Sequence, residues 1–562
     1  MAEESFDYII VGAGSAGCVL ANRLTEDPKV RVLLLEAGGK DSSIFIQMPT
    51  ALSIPMNKEK YNWFYHTEPE PGLGGRSLHC PRGKVLGGSS SINGMAYVRG
   101  NALDYENWAE MGARGWSYAE VLPYFRKAET RADGGDAYRG DKGPLHTSNG
   151  TLKNPLYRAF IEAGVQAGYG ATDDMNGYRQ EGFGRMDMTV HRGQRWSTAN
   201  AYIHPIRNRP NLKIALEAFV DRVTVAGNRA GGVAYTQGDQ SIHAKAEREV
   251  ILSGGSINSP QLLLLSGIGP GAQLKEHGIA VVKDLPGVGE NLMDHLELYQ
   301  QMECTQPISL YSALNPVSKA LIGARWTFFK DGLGATNHFE AGAFFRSRAG
   351  IRWADIQYHF LPAAISYDGN AVAGGHGFQV HVGPMRTKSR GWLRLRSANP
   401  RDKPRVFFNY MGHPDDWTEF RAAIRLTREI FAQPALDPYR GRELNPGADK
   451  QTDAQLDEFI RNAVESAYHP CGTCRMGTDR LAVVDPELRV HGIEGLRVID
   501  ASIMPQVTTG NLNAPTIMIG EKGADLVKGV TPLPKSDAPF WAAPDWQTKQ
   551  RTGTPVRRLD AA

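Results

Sequence analysis

Short apolar runs that end in glycine or an acidic residue dominate the N-terminal part of the chain. Phe6–Val11 is rich in apolar and β-branched residues and runs into glycines, which is typical of a strand buried on both faces. Apolar residues then recur at helical spacing from Ser15 onward, and Val30–Leu35 forms a second apolar run. A helical crossover between two buried strands predicts a βαβ unit, so the chain is expected to open as a parallel α/β sheet.

Two later segments have the same character and predict strands that return to this sheet. They are Glu249–Ser253 and Leu496–Ile499, each followed by small or acidic residues. The region between them, residues 301–465, is dense in aromatic residues and histidine, and Gly391–Ser397 alternates like a half-exposed antiparallel strand. We therefore expect a discontinuous first domain and a substrate-facing second domain.

A glycine motif lies between the first strand and its helix. Residues 12–17, GAGSAG, match G-x-G-x-x-G, and Glu36 follows the second strand. Gly12 allows the tight turn, Gly14 lets a pyrophosphate approach the backbone, and Gly17 lets helix and strand pack closely. Glu36 suits a ribose diol and disfavours a 2′-phosphate. The motif predicts a dinucleotide site, but NAD and FAD share the ADP half that it binds.

A second glycine-rich stretch spans Gly83–Asn93, GKVLGGSSSIN. Its backbone N–H groups and serine hydroxyls suit a pyrophosphate or the polar edge of a flavin ring. A flexible linker is the alternative, which the apolar neighbours Leu86 and Ile92 make less favourable.

Composition narrows the class of protein. The 562 residues exceed one hydrophobic core, and a net charge of +3 gives no strong field, so nucleic acid is not expected as a partner. Five cysteines fit a reducing compartment, and we expect a cytoplasmic protein. The apolar runs are too short to span a bilayer, which leaves peripheral contact with the inner face of the cell membrane as an alternative.

The stretch around His469 carries three alternative chemistries, because Cys471 and Cys474 follow it as a Cys-x-x-Cys. Zinc is disfavoured because no second pair of ligands at suitable spacing is evident, so no metal is expected. A redox dithiol is disfavoured because such motifs follow an early strand. An acid–base role and an ordinary buried histidine remain.

Several segments together resemble the glucose–methanol–choline (GMC) family of flavin oxidoreductases. Gly83–Glu106 and Gly255–Gly269 resemble its two signature segments, and GAGSAG, HPCGTCRMG and LRVIDASIMPQVTTGNLNAPTIMIGEK extend the similarity from Phe6 to about Lys528. Within the family, the bacterial choline-oxidising members are most similar to the stretches YNWFYHTEPEP, NHFEAGAF and QYHFLPAAI.

The resemblance implies an α/β fold, α+β in the second domain, with a discontinuous Rossmann-like FAD-binding domain and a substrate domain whose antiparallel sheet is flanked by helices. The expected segments are 1–160, 200–300 and 470–530 for the FAD-binding domain, 161–199 and 301–469 for the substrate domain, and 531–562 for a partly ordered C-terminal extension.

The resemblance also implies the roles of individual residues. His469 matches the family's alcohol-activating histidine, and Asn513 matches its second polar active-site residue. The expected FAD contacts are Gly12, Gly14, Ser15, Gly17, Glu36, Gly88, Asn93, Val223, Asp500 and Ala501. Relatives that attach the flavin covalently have a histidine where this chain has Ile92, so we expect non-covalent FAD.

The implied function is FAD-dependent oxidation of choline to betaine aldehyde, with a further oxidation to glycine betaine. His469 would act as acid–base residue and Asn513 as hydrogen-bond partner of the substrate oxygen, with the flavin accepting the hydride. The alternatives are oxidation of another primary alcohol, aliphatic or polyether, and a lyase that keeps FAD for structure. The sequence leaves a quinone, a carrier protein and oxygen open as electron acceptors.

A trimethylammonium group is recognised by aromatic faces and a nearby carboxylate, because it donates no strong hydrogen bond. Trp63, Tyr468 and Glu340 are the predicted contacts, and Glu340 resembles the choline-binding carboxylate of choline-oxidising relatives.

Overall fold

The computed structural model describes residues 4–366, 372 and 374–558. The helices are α1 Ser15–Leu24, α2 Ile44–Gln47, α3 Ser53–Met56, α4 Ala102–Glu110, α5 Tyr118–Ala128, α6 Pro155–Gln166, α7 Gly255–Leu265, α8 Gly271–Glu276, α9 Pro316–Phe329, α10 Pro414–Phe431, α11 Asp453–Ala463 and α12 Asn513–Lys528.

The strands up to residue 252 are β1 Glu4–Val11, β2 Val32–Leu35, β3 Tyr65–His66, β4 His79–Cys80, β5 Ala96–Tyr97, β6 Glu129–Arg131, β7 Leu145–Asn149, β8 Gly182–Arg185, β9 Asp187–Met188, β10 Val190–His191, β11 Gln194–Arg195, β12 Leu212–Ala215, β13 Ala218–Ala226, β14 Arg229–Gln237 and β15 Gln240–Leu252. The later strands are β16 Ile268–Gly269, β17 Lys283–Asp284, β18 Leu296–Cys304, β19 Ala341–Phe345, β20 Ile356–Leu361, β21 Gly377–Pro384, β22 Trp392–Arg394, β23 Arg405–Phe407, β24 Arg440–Asn445, β25 Glu465–Ser466 and β26 Leu496–Val498.

The first large sheet has the predicted parallel core. Its order is β12-β2-β1-β15-β14-β13, and β26 pairs parallel with the end of β15. β1 is parallel to both β2 and β15, so the segments predicted to return at 249–253 and 496–499 do reach this sheet. The carboxyl ends of these strands meet at one edge, where ligands bind in open α/β sheets.

Close packing explains why the first βαβ unit requires glycine. Gly12 has φ +103°, and a Cβ on it would lie 2.5 Å from the carbonyl oxygen of Ser253. A Cβ on Gly17 would lie 1.9 Å from the carbonyl oxygen of Gly12. Both positions therefore exclude a side chain, which confirms the structural part of the motif's interpretation.

The second large sheet is antiparallel, with the order β24-β18-β21-β20-β19-β8, and β25 pairs with the start of β18. Its middle strands are buried on both faces, and α10 packs against β21. Trp392–Arg394 is antiparallel and half-exposed as predicted, but it pairs with β23 in a small separate sheet.

The α/β fold class with an antiparallel second sheet is confirmed, while the residue boundaries between the two domains stay a prediction. β8, within the predicted 161–199 segment, belongs to the second sheet. β18 joins that sheet from Leu296, four residues before the predicted end of the 200–300 segment.

The C-terminal segment lies against the body of the protein. The backbone N–H of Leu533 donates to the Tyr124 hydroxyl at 3.1 Å, and the Arg179 guanidinium lies 4.5 Å from the Trp541 ring centroid. Arg551 donates to the Ala167 carbonyl oxygen at 2.8 Å. Among the described residues, no helix combines the length and the apolar character that crossing a bilayer requires.

Candidate active site

A large cavity of about 1180 Å³ runs from the glycine turn after β1 to the second sheet. Its walls come from that turn, from the loop before β5, from the start of α7 and from the segment around His469. The volume exceeds the range of about 300–1,000 Å³ for an ordinary ligand pocket, and it suits a dinucleotide with a small substrate beside it.

The dinucleotide end is built by the residues that the motif predicted. Gly12, Gly14, Ser15 and Glu36 line the cavity, whereas Gly17 contributes only close packing. The Glu36 carboxylate accepts hydrogen bonds from the backbone N–H groups of Ala13 and Gly38, at 3.0 and 2.8 Å. Burial raises the pKa of Glu36 to about 7. The carboxylate is thus held at the strand end, where a ribose diol would reach it.

The glycine-serine loop approaches the first glycine turn directly. Gly88 lines the cavity with φ +54°, and a Cβ on it would lie 2.7 Å from the Cα of Gly14. Ile92 is 2% exposed and packs with Ile46 and Tyr61, which is incompatible with a flexible linker. The two turns form one concave wall with room for a pyrophosphate.

Arg195 supports this wall from behind, although no sequence motif pointed to this residue. Its guanidinium is fully buried and donates to the Ile46 carbonyl oxygen at 2.8 Å and to the Asn93 side-chain oxygen at 2.8 Å. The Asn93 side-chain oxygen also accepts from the Met95 N–H at 3.1 Å, so this amide is oriented by two donors. Burial lowers the pKa of Arg195 to about 9, and its Nη2 has no hydrogen-bond partner among the residues that the structure describes.

The flavin contacts predicted at Asp500 and Ala501 lie at the cavity, but the contact predicted in β13 does not. Asp500 and Ala501 both line the cavity, and the Asp500 carboxylate accepts from the Gly255 N–H at 2.8 Å. Val223 is buried away from the lining, because its N–H donates to the Ser266 hydroxyl at 2.9 Å. Val220 of the same strand lines the cavity, three residues before Val223.

His469 lies at the opposite end, in a network that fixes which nitrogen carries its proton. His295 Nε2 is 3.0 Å from the Met385 carbonyl oxygen, and His295 Nδ1 is 3.1 Å from His469 Nδ1. A carbonyl oxygen only accepts, so His295 Nε2 carries the proton and its Nδ1 holds a lone pair. His469 Nδ1 must therefore donate to it, which leaves the lone pair of His469 on Nε2.

The environment keeps both imidazoles neutral. Burial lowers the pKa of His295 to about 4. Burial, with a smaller contribution from the positive charge of Arg82, holds the pKa of His469 well below its usual value. His469 Nε2 therefore presents a lone pair to the cavity at neutral pH, as a general base requires.

Asn511, and not Asn513, is the partner of His469. The Asn511 side-chain N–H donates to His469 Nε2 at 3.0 Å. Asn513 is at the first position of α12 and its side-chain oxygen accepts from the Ser15 hydroxyl at 2.9 Å, beside the glycine turn. The predicted pairing of Asn513 with His469 is thus corrected. Both residues line the cavity, and the second asparagine of the GNLN motif serves the dinucleotide end.

The position predicted for Glu340 is also corrected, because its carboxylate does not line the cavity. It is 4% exposed and accepts from the Thr151 hydroxyl at 2.9 Å, the Leu152 N–H at 2.7 Å and the Thr336 hydroxyl at 3.0 Å. These donors satisfy the carboxylate inside the protein and hold the segment before β19 in place.

Glu297 of β18 lines the cavity at the His469 end, as does Glu465 opposite it in β25, whose carboxylate pairs with Arg76. One oxygen of Glu297 lies 3.3 Å from His381 Nδ1, and Tyr299 stacks on the His381 ring at 3.8 Å. Tyr468 lines the same end, where its backbone at φ +66° is held by a 2.6 Å hydrogen bond from Arg82 to its carbonyl oxygen. A carboxylate and aromatic rings are the groups that bind a quaternary ammonium.

Trp63 lines the cavity at the dinucleotide end. Its ring centroid is 5.9 Å from that of Phe219 in β13, and the Lys84 ammonium lies 5.1 Å from the ring. The charge of Lys84 also acts on Glu36, which places this group of side chains near the ribose position. These contacts therefore do not support the role predicted for Trp63 beside the trimethylammonium group of the substrate.

The two cysteines after His469 take no part in the lining. Cys471 and Cys474 are buried free thiols, and burial raises the pKa of both. Within residues 4–366, 372 and 374–558, no group of three histidine, cysteine or acidic side chains could hold a metal ion.

Comparison with known proteins agrees with the site. Two family models, both described as GMC oxidoreductase, match residues 6–297 and 387–520. The chain belongs to the GMC oxidoreductase family. The resemblance and the class of enzyme predicted from the motifs are confirmed, and the family's FAD dependence fits the two glycine turns, Glu36 and the cavity volume.

Relatives cover nearly the whole chain. The oxygen-dependent choline dehydrogenase of Brucella anthropi is 59% identical over 547 residues, 97% of this chain and 100% of the relative. That of Photobacterium profundum is 58% identical over 559 residues, 99% and 98% of the two chains. The crystal structure of pyridoxine 4-oxidase from Mesorbium loti matches with TM-score 0.85 and 33% identity, covering 94% and 100% of the two chains.

Proposed function

We propose that this protein oxidises choline to betaine aldehyde with FAD bound non-covalently. The proposal is carried by the arrangement at one end of the cavity, where a neutral base, His469, shares the lining with a carboxylate, Glu297, and an aromatic ring, Tyr468. The names of the Brucella and Photobacterium relatives support the same substrate.

His469 and Asn511 together match the hydrogen-bonding capacity of an alcohol. A hydroxyl both donates and accepts, and here it would donate to the lone pair on His469 Nε2 while accepting from the Asn511 side-chain N–H. The two nitrogen atoms are 3.0 Å apart, so one hydroxyl oxygen can contact both. This pair orients the substrate oxygen at the point where its proton leaves.

Loss of the hydroxyl proton to His469 Nε2 increases the electron density on the oxygen and weakens the adjacent C–H bond. Bound FAD supplies the hydride acceptor for that carbon. His469 then carries protons on both nitrogens, and Asn511 and the protonated Nε2 both donate to the substrate oxygen as the carbonyl forms. His295 continues to accept from Nδ1, so the ring does not need to rotate during the step.

Glu297 and Tyr468 provide the selectivity for a cationic alcohol. The carboxylate attracts the ammonium by charge, and the tyrosine ring offers a π face. Ile92 supplies no atom that could bond to a flavin, which supports non-covalent attachment.

The function is tested by anaerobic mixing of the purified holoenzyme with a panel of alcohols while the flavin absorbance is followed. Choline should bleach the flavin with the highest kcat/KM, ahead of 3,3-dimethylbutanol, aliphatic alcohols and polyether alcohols. Failure of every alcohol to bleach the flavin would leave the lyase alternative, and preference for the uncharged isostere would contradict the choline assignment. Readmitting air then tests whether oxygen takes the electrons, as the relatives' name states for them.

A further inference from the structure

Alternate residues of two neighbouring strands form a polar row on one face of the second sheet. Residues two apart in a strand share a face, so Glu297, Tyr299 and Gln301 of β18 lie on the same side. Strand pairing places Tyr299 opposite His381 and Gln301 opposite Gln379 of β21. The row therefore connects Glu297, the carboxylate proposed above to select a cationic alcohol, with two buried glutamines that the reaction does not use directly.

The amide of Gln379 is held in one orientation. Its side-chain oxygen accepts from the Ile365 backbone N–H at 2.9 Å and from the Gln301 side-chain N–H at 2.8 Å. The Gln301 nitrogen also donates to the Ile365 carbonyl oxygen at 2.9 Å, so the same backbone fixes both amides. Turning the Gln379 amide over would leave two buried donors facing its nitrogen without an acceptor. Its nitrogen is therefore directed the other way, toward His381.

Gln379 determines which nitrogen of His381 carries the proton. Its side-chain nitrogen lies 2.8 Å from His381 Nε2. An amide nitrogen only donates, so His381 Nε2 holds a lone pair and the proton of the neutral ring is on Nδ1. Nδ1 is the atom that lies 3.3 Å from a carboxylate oxygen of Glu297. A second proton, on Nε2, would set two donors against each other, so this arrangement opposes formation of the imidazolium.

The neutral state of His381 matters because the ring is so close to Glu297. A histidine beside a carboxylate ordinarily takes up its second proton as the pH falls toward 6.5 and below. An imidazolium at 3.3 Å would cancel most of the field that the carboxylate directs at a nearby cation. A neutral ring presents only its Nδ1 proton and leaves the negative charge of Glu297 in place.

Other titratable or charged groups surround His381 in the part of the chain that the structure describes. They are Glu297 and Tyr299 of β18, His359 of β20, Glu465 of β25 with its partner Arg76, and Tyr468. Burial lowers the pKa of His359 to about 4, so this ring is neutral at pH 6. Burial raises the pKa of Tyr468, so its phenol stays protonated. Glu465 and Arg76 compensate each other as an ion pair, and their contribution is common to the wild type and to variants at Gln379.

We propose that Gln379 is a positioning residue for substrate selectivity: its N–H holds His381 in the neutral form, so that Glu297 keeps its charge for a cationic alcohol. The inference rests on the choline oxidation proposed above and deepens it, because it identifies what keeps the selecting carboxylate effective at mildly acidic pH. Gln301 and Ile365 act on the same ring indirectly, by fixing the direction of the Gln379 amide.

The test is the ratio of the KM for choline to the KM for 3,3-dimethylbutanol, measured with the holoenzyme at pH 6 and pH 8.5. Effects of pH on His469 are shared by both alcohols and cancel in the ratio. In the wild-type protein the ratio should change less than about twofold. In Gln379→Met, which donates no hydrogen bond, the ratio should rise at least about fourfold at pH 6, because an ordinary histidine is about three-quarters protonated there. Adding His381→Asn to this variant should remove the rise.

Gln300→Met is the matched control. Gln300 is 2% exposed in the same sheet, but it lies on the opposite face, where its side-chain N–H donates to the Ile424 carbonyl oxygen at 3.1 Å. This variant loses a buried amide without altering the acceptor at His381, so its KM ratio should follow the wild type at both pH values. FAD content and thermal unfolding establish that each variant is folded.

Binding of tetramethylammonium, followed by isothermal titration calorimetry at the same two pH values, needs no turnover. Its dissociation constant should follow the same pattern as the KM ratio, so a failure of choline oxidation can be distinguished from a failure of this inference. Three results would overturn the inference: a rise at pH 6 in the wild type equal to that in Gln379→Met, no rise in Gln379→Met, or a rise that persists after His381→Asn. The first of these is measured on the wild-type protein and does not depend on the folding of a variant.

Discussion

The sharpest test of the substrate end compares Glu297→Gln with Glu340→Gln, two glutamates whose surroundings differ. Glu297 lines the cavity near His469, whereas Glu340 is enclosed by three internal donors. Each substitution removes one negative charge with little change of shape. Only the first should remove an interaction with the cationic end of choline.

The expected magnitude follows from the partial burial of Glu297, whose side chain is 14% exposed. At an effective dielectric constant near 20, a carboxylate about 6 Å from an ammonium contributes about 3 kcal/mol. Loss of that interaction corresponds to a rise of about 10²-fold in the KM for choline. The uncharged isostere 3,3-dimethylbutanol has no such interaction, so its KM should change by less than about threefold.

Glu340→Gln should behave differently because its carboxylate has a structural role. The substitution leaves Leu152 and two threonine hydroxyls with a poorer acceptor, which costs about 1–3 kcal/mol of folding stability. Its KM should stay close to the wild-type value for both alcohols, while its melting temperature falls.

The assay is steady-state kinetics on both alcohols, with FAD content and thermal unfolding measured for each variant. An equal rise in KM for both alcohols in Glu297→Gln would mean that Glu297 supports the fold or the flavin. A choline-selective loss in Glu340→Gln would refute the placement of the carboxylate given above.

Further outcomes concern the base, its hydrogen-bond partners and the flavin. His469→Ala should slow flavin reduction by about 10²-fold or more while FAD remains bound. Asn511→Ala should slow flavin reduction more than Asn513→Ala does. The main effect of Asn513→Ala should be weaker retention of FAD on desalting. His295→Leu should slow flavin reduction, because it removes the acceptor that fixes the Nδ1 proton of His469 and stabilises the ring once Nε2 is protonated; His295→Asn, which still accepts from Nδ1, should recover part of the rate. Acid precipitation should release yellow FAD into the supernatant, since Ile92 provides no linking atom, and flavin retained in the pellet would contradict non-covalent attachment.

The fold was predictable because its parallel strands are buried runs that end in residues with a recognisable task. β1 ends before the glycine turn, β2 before Glu36 and β26 before Asp500. Such runs identify a strand without knowledge of its neighbours, and the carboxyl ends of parallel strands then meet at one edge. The dinucleotide end could therefore be predicted from local sequence, with the exception of Val223, where a choice of face within β13 was needed.

The substrate end depends on pairings between distant segments, which local sequence does not encode. Glu297 faces the cavity because β18 pairs with β25, where it is opposite Glu465 and close to the segment of Tyr468. Glu340 has the more suggestive surroundings in sequence, yet the chain folds Thr151 and Leu152 around it. A carboxylate near aromatic residues in sequence has no fixed relation to the cavity until these pairings are formed.

The two asparagines of the GNLN motif show the same limit at shorter range. They are two residues apart, and α12 begins at the second of them. In an extended segment, residues two apart share a face, but the turn into the helix directs Asn511 to His469 and Asn513 to Ser15. The sequence thus contained the right residue type two positions away, and the start of the helix decided which asparagine contacts His469.

Which nitrogen of His469 is basic depends on a backbone carbonyl group, that of Met385, which no sequence motif indicates. His469 can accept a proton on Nε2 only because His295 Nδ1 is an acceptor, and His295 Nδ1 is an acceptor only because the carbonyl oxygen of Met385 occupies its other nitrogen. Every residue has a carbonyl oxygen, so residue 385 could vary in type without altering the direction of these hydrogen bonds. Motifs therefore predict which side chains form the site. The direction of proton transfer between them depends instead on where the backbone places the carbonyl oxygen of Met385.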